Sequence, residues 1–287
     1  MPPEARVRLT ATEDAAGLRH LAAHAGLILL GGGLIAAGVP FWWMLLPVQG
    51  VLIVFLFTLE HECTHRTPFA SAGLNEWAGR IAGLLILLPF EWFRHFHLAH
   101  HRWTNIPGRD PELEREKPAT WRAWAWHVSG LPYWGTMAAT TWRLALGRER
   151  APYLPEGALP RMAREARIML ALHAAVAILS LAVTPVLVWT WILPALLGQP
   201  ALRIYLLAEH GDCPRVADMF LNTRTTFTTA AMRFLAWNMP YHVEHHVLPQ
   251  APFHRLPAVH ETMRAHLRVT AEGYAAFTRG YLARRPF

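Results

Sequence analysis

Two long stretches with almost no charge limit the fold of this chain more than any other feature. Between His20 and Glu60 the only titratable side chain is His24, and between Arg167 and Arg203 it is His173. A bilayer core about 30 Å thick is crossed by roughly 20 apolar residues in a helix, a form that satisfies its own backbone groups where no water is present. Each stretch has room for two crossings. Each is also broken by turn-forming residues, Gly38-Val-Pro40 in the first and Thr184-Pro185 in the second. The sequence therefore predicts spans at about 20–38, 41–60, 168–184 and 186–208, paired as two hairpins. Of the 287 residues, 53% are hydrophobic and 16% charged, too apolar for an ordinary soluble domain of this length. The run from Ile81 to Phe90 is too short to cross and reads as a buried or interfacial helix.

The charges set an expected orientation. Arg6, Arg8 and Arg19 precede the first stretch, the region from Arg66 to Arg167 is arginine-rich, and so is the tail from Arg203 to Arg285. The two expected turns carry no basic residue. Because basic loops stay cytoplasmic, residues 61–167 and 209–287 are expected to form a helical cap on the cytosolic side. The whole is then one all-α integral-membrane domain over 1–287, four transmembrane helices in two hairpins, multi-pass in the cytoplasmic membrane if the source is bacterial. The first apolar stretch begins late and runs into a second span, so it does not read as a secretory signal. A net charge of +7 suits contact with anionic membrane lipid. The arginines form no continuous stripe, which argues against nucleic acid. Two cysteines, Cys63 and Cys213, give no disulfide framework, and Cys63 reads as a small packing residue.

Against this frame stand three histidine clusters: His61-Glu-Cys-Thr-His65, His97-Leu-Ala-His100-His101 and His242-Val-Glu-His245-His246. Residues three and four apart share a helix face, so each cluster can turn two or three imidazoles the same way. Eight neutral nitrogen donors are too many for one closed tetrahedral zinc and about right for two metal ions. Imidazole suits iron, zinc, copper and nickel alike; two irons, with positions left for dioxygen, fit the number best. His95 lies two residues before His97, on the opposite face, and is not expected to be a ligand. His24 and His173 are expected to bond across helices, and His254, His260 and His266 to lie on the surface or behind the ligands.

Bound histidines usually donate their other ring nitrogen to a carboxylate or carbonyl. Glu62, Glu209, Asp212 and Glu244 adjoin the histidines in sequence and are candidate partners. Asn238, four residues before His242, is a candidate holder of a metal-bound water. Arg109 and Asp110 are expected to order the cap through an ion pair, and the spacing of Val259, Met263, Leu267 and Val269 predicts a helix in the tail. No catalytic residue beyond the metal site is expected. Trp92, Phe96 and Trp103 are expected to guide an apolar substrate between the spans and the cap.

The order of the clusters, with paired spans before the first and between the second and third, resembles the membrane fatty acid desaturase family from about Leu45 to His260. His100-His101-Arg-Trp-Thr-Asn, Glu209-His210-Gly and Asn238-Met-Pro-Tyr-His242-Val-Glu-His-His246-Val-Leu-Pro carry the likeness. The resemblance implies a non-haem di-iron centre held by the three boxes, with His210 as a ninth ligand. It implies an O2-dependent attack on an unactivated C–H bond of a lipid-like substrate, with acyl-chain desaturation as the default. Hydroxylation, carotenoid-type oxygenation and oxidative decarboxylation are alternatives on the same scaffold. The chain has no dinucleotide fingerprint and no haem or iron–sulfur signature. Electrons are therefore expected from a separate ferredoxin-, rubredoxin- or cytochrome-type donor and its reductase. A metal-binding membrane transporter is the rival from another class, but it would place polar ligands near mid-membrane, whereas these clusters fall at the ends of the apolar stretches.

Overall fold

A computed structural model describes residues 2–287, and among them helices dominate. In chain order they are α1 (Pro3–Thr10), α2 (Asp14–Ala36), α3 (Leu45–Val54), α4 (Leu56–His65), α5 (Ala72–Ile86), α6 (Phe90–Trp103), α7 (Trp121–Val128), α8 (Leu131–Ala145), α9 (Leu159–Ala182), α10 (Leu193–His210), α11 (Met219–Asn222), α12 (Ala230–Leu235), α13 (His242–Val247), α14 (Leu256–Met263) and α15 (Tyr274–Ala283). The described sheet is a single parallel pair, β1 (Thr225–Thr226) and β2 (Thr270–Ala271).

Four continuous helical segments are long and apolar enough to cross a membrane: Asp14–Ala36, Trp42–His65, Glu156–Ala182 and Val188–His210. They correspond to the four expected spans, but three of the four run well past the expected limits at their charged ends. The reason is that those ends find partners. Arg80 on α5 bonds Glu165 on α9 at 2.5 Å and Glu91 on α6 at 3.3 Å, while Arg161 on α9 also reaches Glu91 at 3.0 Å. Arg94 on α6 bonds Glu76 on α5 at 2.5 Å. This cluster ties the helices between the first and second histidine boxes to the start of the third span. On the opposite account, Leu29 is 75% exposed, Ile178 66% and Leu181 90%, side chains that suit acyl chains far better than water.

The second and fourth of these apolar segments cross at backbone contact. A Cβ added to Gly50 would lie 2.0 Å from the Pro194 carbonyl oxygen, and one added to Gly198 would lie 2.3 Å from the Gly50 backbone. Only hydrogen at both positions lets the backbones approach this closely, as small residues do where membrane helices pack. Polar side chains fasten α2 beside them. Gln49 donates to the carbonyls of Ile28 (3.0 Å) and Thr190 (3.1 Å). His24, fully buried, reaches the Leu52 carbonyl at 2.9 Å, close to the break between α3 and α4. Its other ring nitrogen accepts from the Trp237 indole at 3.2 Å, which fixes the proton on Nε2. His173 instead bonds Met169 within its own helix, so it does not cross between helices as expected.

Other local expectations change in detail. The segment around Ile81–Phe90 is the end of α5 and the start of α6, separated by Leu87 in a left-handed conformation (φ 58°). The tail helix α14 stops at Met263, and Val269 leads into β2, so the four spaced apolar residues do not share one helix.

Replacing Gly198 by leucine should destabilise the protein by at least the roughly 1–3 kcal/mol of an overpacked core, because the obstacle is backbone. Thermal unfolding in detergent measures this; an unchanged midpoint would show that the crossing can open without cost.

Candidate metal centre

Each box reaches the site on an element whose end is held in place. Box one occupies the last turns of α4, which Arg66 closes in a left-handed conformation (φ 60°). Box two occupies the last turns of α6, which Asn105 (φ 59°) turns away. His210 is the last residue of α10. The C-terminal ends of α4, α6 and α10 therefore converge, and the six-residue helix α13 inserts box three between them. Its position depends on β1: Thr225 Oγ1 accepts from the Val243 amide at 3.3 Å and donates to the Glu244 carboxylate.

The structure brings all nine sequence-selected histidines together. His61, His65, His97, His101 and His245 form one group, and His100, His210 and His246 a second, each with donor atoms within 4.8 Å of one another. His242 joins the second group through Nε2 contacts to His210 (3.1 Å) and His246 (3.2 Å). In the first group His65 and His97 approach Nε2 to Nε2 at 2.8 Å, and His101 and His245 at 3.1 Å. His61 lies ring to ring with His97 at 4.1 Å, with both its nitrogens buried and unbonded.

The donor set tests itself against a metal. His100 Nδ1 bonds the Asp110 carboxylate at 3.0 Å, and His210 Nδ1 bonds the Asn222 carbonyl at 3.1 Å. A carbonyl or carboxylate only accepts, so each of these rings carries its proton on Nδ1. Their Nε2 atoms face each other at 3.2 Å, and in the neutral rings both are lone pairs. Two lone pairs at that distance fit a cation between them and repel without one. Burial, reinforced by neighbouring histidines, pushes His97, His101, His242, His245 and His246 well below the ordinary imidazole range. They stay neutral, the form that ligates metal. His100 is the exception. Burial works against its protonation, but Glu112 and Asp110 outweigh burial and raise it.

The outer partners differ from several expectations. Glu62 accepts from Thr67 Oγ1 and from the Phe253 amide, both at 3.0 Å, and its second oxygen lies 3.6 Å from His245 Nδ1. Glu209 lies 3.4 Å from His242 Nδ1. Glu244 bonds Thr225 and His260, so it holds α13 against β1 and α14 and meets no histidine of the boxes. Asp212 is taken by Arg284 and Arg285 of the tail and does not face the site. Asn238 is not on the helix of His242: α13 begins later, Asn238 is left-handed (φ 58°), and its amide donates to the Phe253 carbonyl at 3.0 Å. Arg109 and Asp110 form no ion pair. Asp110 serves His100, and Arg109 lies over the Trp103 ring at 4.3 Å. His95 sits outside the cluster, in a groove on the far face of α6.

Sequence reading missed Asp110 as a histidine partner, along with Asn222 and with Thr104, whose Oγ1 lies 3.2 Å from His246 Nδ1. A signal for Asp110 was present. The turn-forming run from Asn105 brings the chain back, and Asp110 Oδ2 accepts from the Asn105 amide at 2.7 Å.

Comparison with known proteins gives an independent finding. The family model described as fatty acid desaturase matches residues 18–278. The sn-1 oleoyl-lipid 12-desaturase of Arthrospira platensis is 23% identical over 75% of this chain and 67% of its own length. The sn-1 acyl-lipid omega-3 desaturase (ferredoxin) of a Synechocystis species is 26% identical over 45% of this chain and 36% of its own. The sphingolipid delta(4)-desaturase/C4-monooxygenase of Mus musculus is 27% identical over 69% and 58%. For the last two, the chain spans less than two thirds of the relative's length.

Asp110→Asn should lower metal affinity about 10- to 100-fold, the usual effect of removing a ligand's outer partner, and His245→Ala should lower metal content outright. His95→Ala should keep its metal. Elemental analysis of the purified variants decides it, and a full load in His245→Ala would remove that residue from the site.

Proposed function

The chain belongs to the fatty acid desaturase family, and we propose that it introduces a double bond into the acyl chain of a membrane lipid. The observation that carries this reading is the pocket of nine converging imidazoles, in which the facing Nε2 atoms of His100 and His210, both protonated on Nδ1, call for a cation. We assign His61, His65, His97, His101 and His245 to one iron and His100, His210, His242 and His246 to the other. When bound, the two irons would supply the redox chemistry by which dioxygen is consumed and two hydrogens are lost from neighbouring carbons.

The chain's own residues do the rest. Asp110 and the Asn222 carbonyl hold His100 and His210 in the tautomer that ligates. Glu62 ties α4 to the segment after box three and lies beside His245. Seven of the nine histidines are buried and His65 and His101 half-buried, which limits the access of bulk water to the reacting carbons. Phe93 stacks 5.5 Å from His97, and Phe96 and Trp92 continue that apolar surface outward. An alkyl chain laid along it is oriented toward the first histidine group, and proximity of this kind fixes which carbon reacts without an acid–base residue.

Two electrons are needed per turnover, and we assign their source to a separate acidic carrier attracted by the arginine-rich face. One relative's name includes ferredoxin, which favours an iron–sulfur donor. The mouse relative's name also includes C4-monooxygenase, so oxygen insertion is the outcome to be distinguished. The four apolar helices and the basic segments around them favour a multi-pass membrane protein whose termini and histidines face the cytosol.

Reconstituted protein with a reduced donor and dioxygen should give a lipid product lighter by two hydrogens, and none when either is withheld. A product heavier by one oxygen would assign hydroxylation, and product without dioxygen would end the oxygen-dependent reading. Cysteines placed near Gly38 or Thr184 should react with an impermeant thiol reagent on intact cells, while one at Arg148 should not. Labelling at Arg148 would reverse the orientation.

A further inference from the structure

On the outer face of α6, opposite the histidines, runs a groove of about 640 Å³. Its apolar floor includes Leu98 and Pro152, and its walls include the rings of Trp103 and Tyr153. Arg102 and Arg109 line it, and neither has a carboxylate within ion-pair distance among the described residues. They differ in this from Arg94, nearer the start of the same helix, and from Arg80 and Arg161 on the helices packed beside it, each of which is paired. Arg109 lies over the Trp103 ring at 4.3 Å, which steadies its guanidinium without consuming its donors. Two acids also line the groove, Glu114 and Asp110, but the Asp110 carboxylate is taken by His100 and by the Asn105 and Glu112 amides, so neither arginine is neutralised by it.

The groove is connected to the site by aromatic contacts. Tyr153 packs edge-on against Phe96 at 5.8 Å, Phe96 lies 6.4 Å from Phe93, and Phe93 lies 5.5 Å from His97. A phosphate ester between Arg102 and Arg109 would thus sit at one end of an apolar surface whose other end is the first histidine group. Arginine suits this role because its planar fork matches phosphate oxygens two at a time.

We propose that this groove binds the phosphate-bearing head group of a glycerolipid, and that Arg102 and Arg109 select lipids carrying a phosphate over uncharged ones. The proposal rests on the desaturase reading for its acyl chain, but it concerns binding and can be tested without turnover.

The test is a titration of purified full-length protein, in detergent, with single-chain oleoyl lipids, followed by native mass spectrometry. Oleoyl lysophosphatidate should bind about tenfold tighter than monooleoylglycerol, the ratio that one charge-assisted contact of about 1.4 kcal/mol supplies. The double substitution Arg102→Gln, Arg109→Gln should abolish that preference and leave monooleoylglycerol binding unchanged; both side chains are exposed and neither makes an ion pair among the described residues. With phospholipid substrate, the same variant should raise KM and keep kcat, the mark of an interaction equal in ground and transition states. Equal binding of the two lipids by the unaltered protein, or an undiminished preference in the double variant, would overturn the proposal. Oleoyl-coenzyme A binding more tightly than lysophosphatidate would also overturn it, by moving the phosphate from lipid to carrier. A selective groove in a protein that yields no dehydrogenated lipid would leave this site standing and remove the reaction instead.

Discussion

Nine imidazoles crowded into one pocket must be kept in place by the elements around them, and much of the rest of the structure follows from that requirement. Their Nε2 atoms approach to 2.8–3.2 Å in five pairs, and in the His100–His210 pair, whose protons are fixed on Nδ1, the facing lone pairs repel unless a positive charge lies between. The scaffold must therefore resist the pocket's tendency to spread. It does so with bonds to the far ring nitrogens from Asp110, Asn222 and Thr104, and with Glu62 and Glu244 as braces on the two elements that carry boxes one and three. A metal centre assembled from four separate elements is in this sense a tertiary object, and its cost is spread over many polar contacts outside it.

The membrane-type helices supply the fixed frame. The Gly50–Gly198 crossing sets the spacing between the second and fourth spans, and these two spans deliver His61, His65 and His210. An error of one side chain at that crossing would separate the two groups of ligands. The ion-pair cluster of Arg80, Arg94 and Arg161 with Glu76, Glu91 and Glu165 then fixes α6 against α5 and α9. Most of these charges are part-buried and they bond as a network, so they contribute more than isolated surface pairs. Box two consequently inherits its position from the third span although it lies far from that span in sequence.

The same helix α6 presents histidines on one face and a groove with two unpaired arginines on the other. His95, set two residues from a ligand, belongs to the second face. One helix can thus carry both the reacting centre and the recognition of what approaches it. This follows directly from the 3.6-residue period, and the short aromatic route through Phe93 and Phe96 links the two.

The local period and the hydropathy of the sequence determined the four apolar helices, the helical class and the eight box histidines, because three-and-four spacing and 20-residue apolar runs are properties of contiguous residues. His210 was legible only through the resemblance, since one histidine at the end of a span has no spacing partner. The outer contacts were decided by the tertiary structure. Asp212 and Asn238 stand beside or near ligands in sequence, yet left-handed turns at both positions send their side chains to Arg284, Arg285 and Phe253. Glu62 meets the Phe253 amide across 191 residues, and Gly50 meets Gly198 across two spans. Contacts of this range depend on how helices pack and where turns redirect the chain, and no pattern in neighbouring residues encodes them.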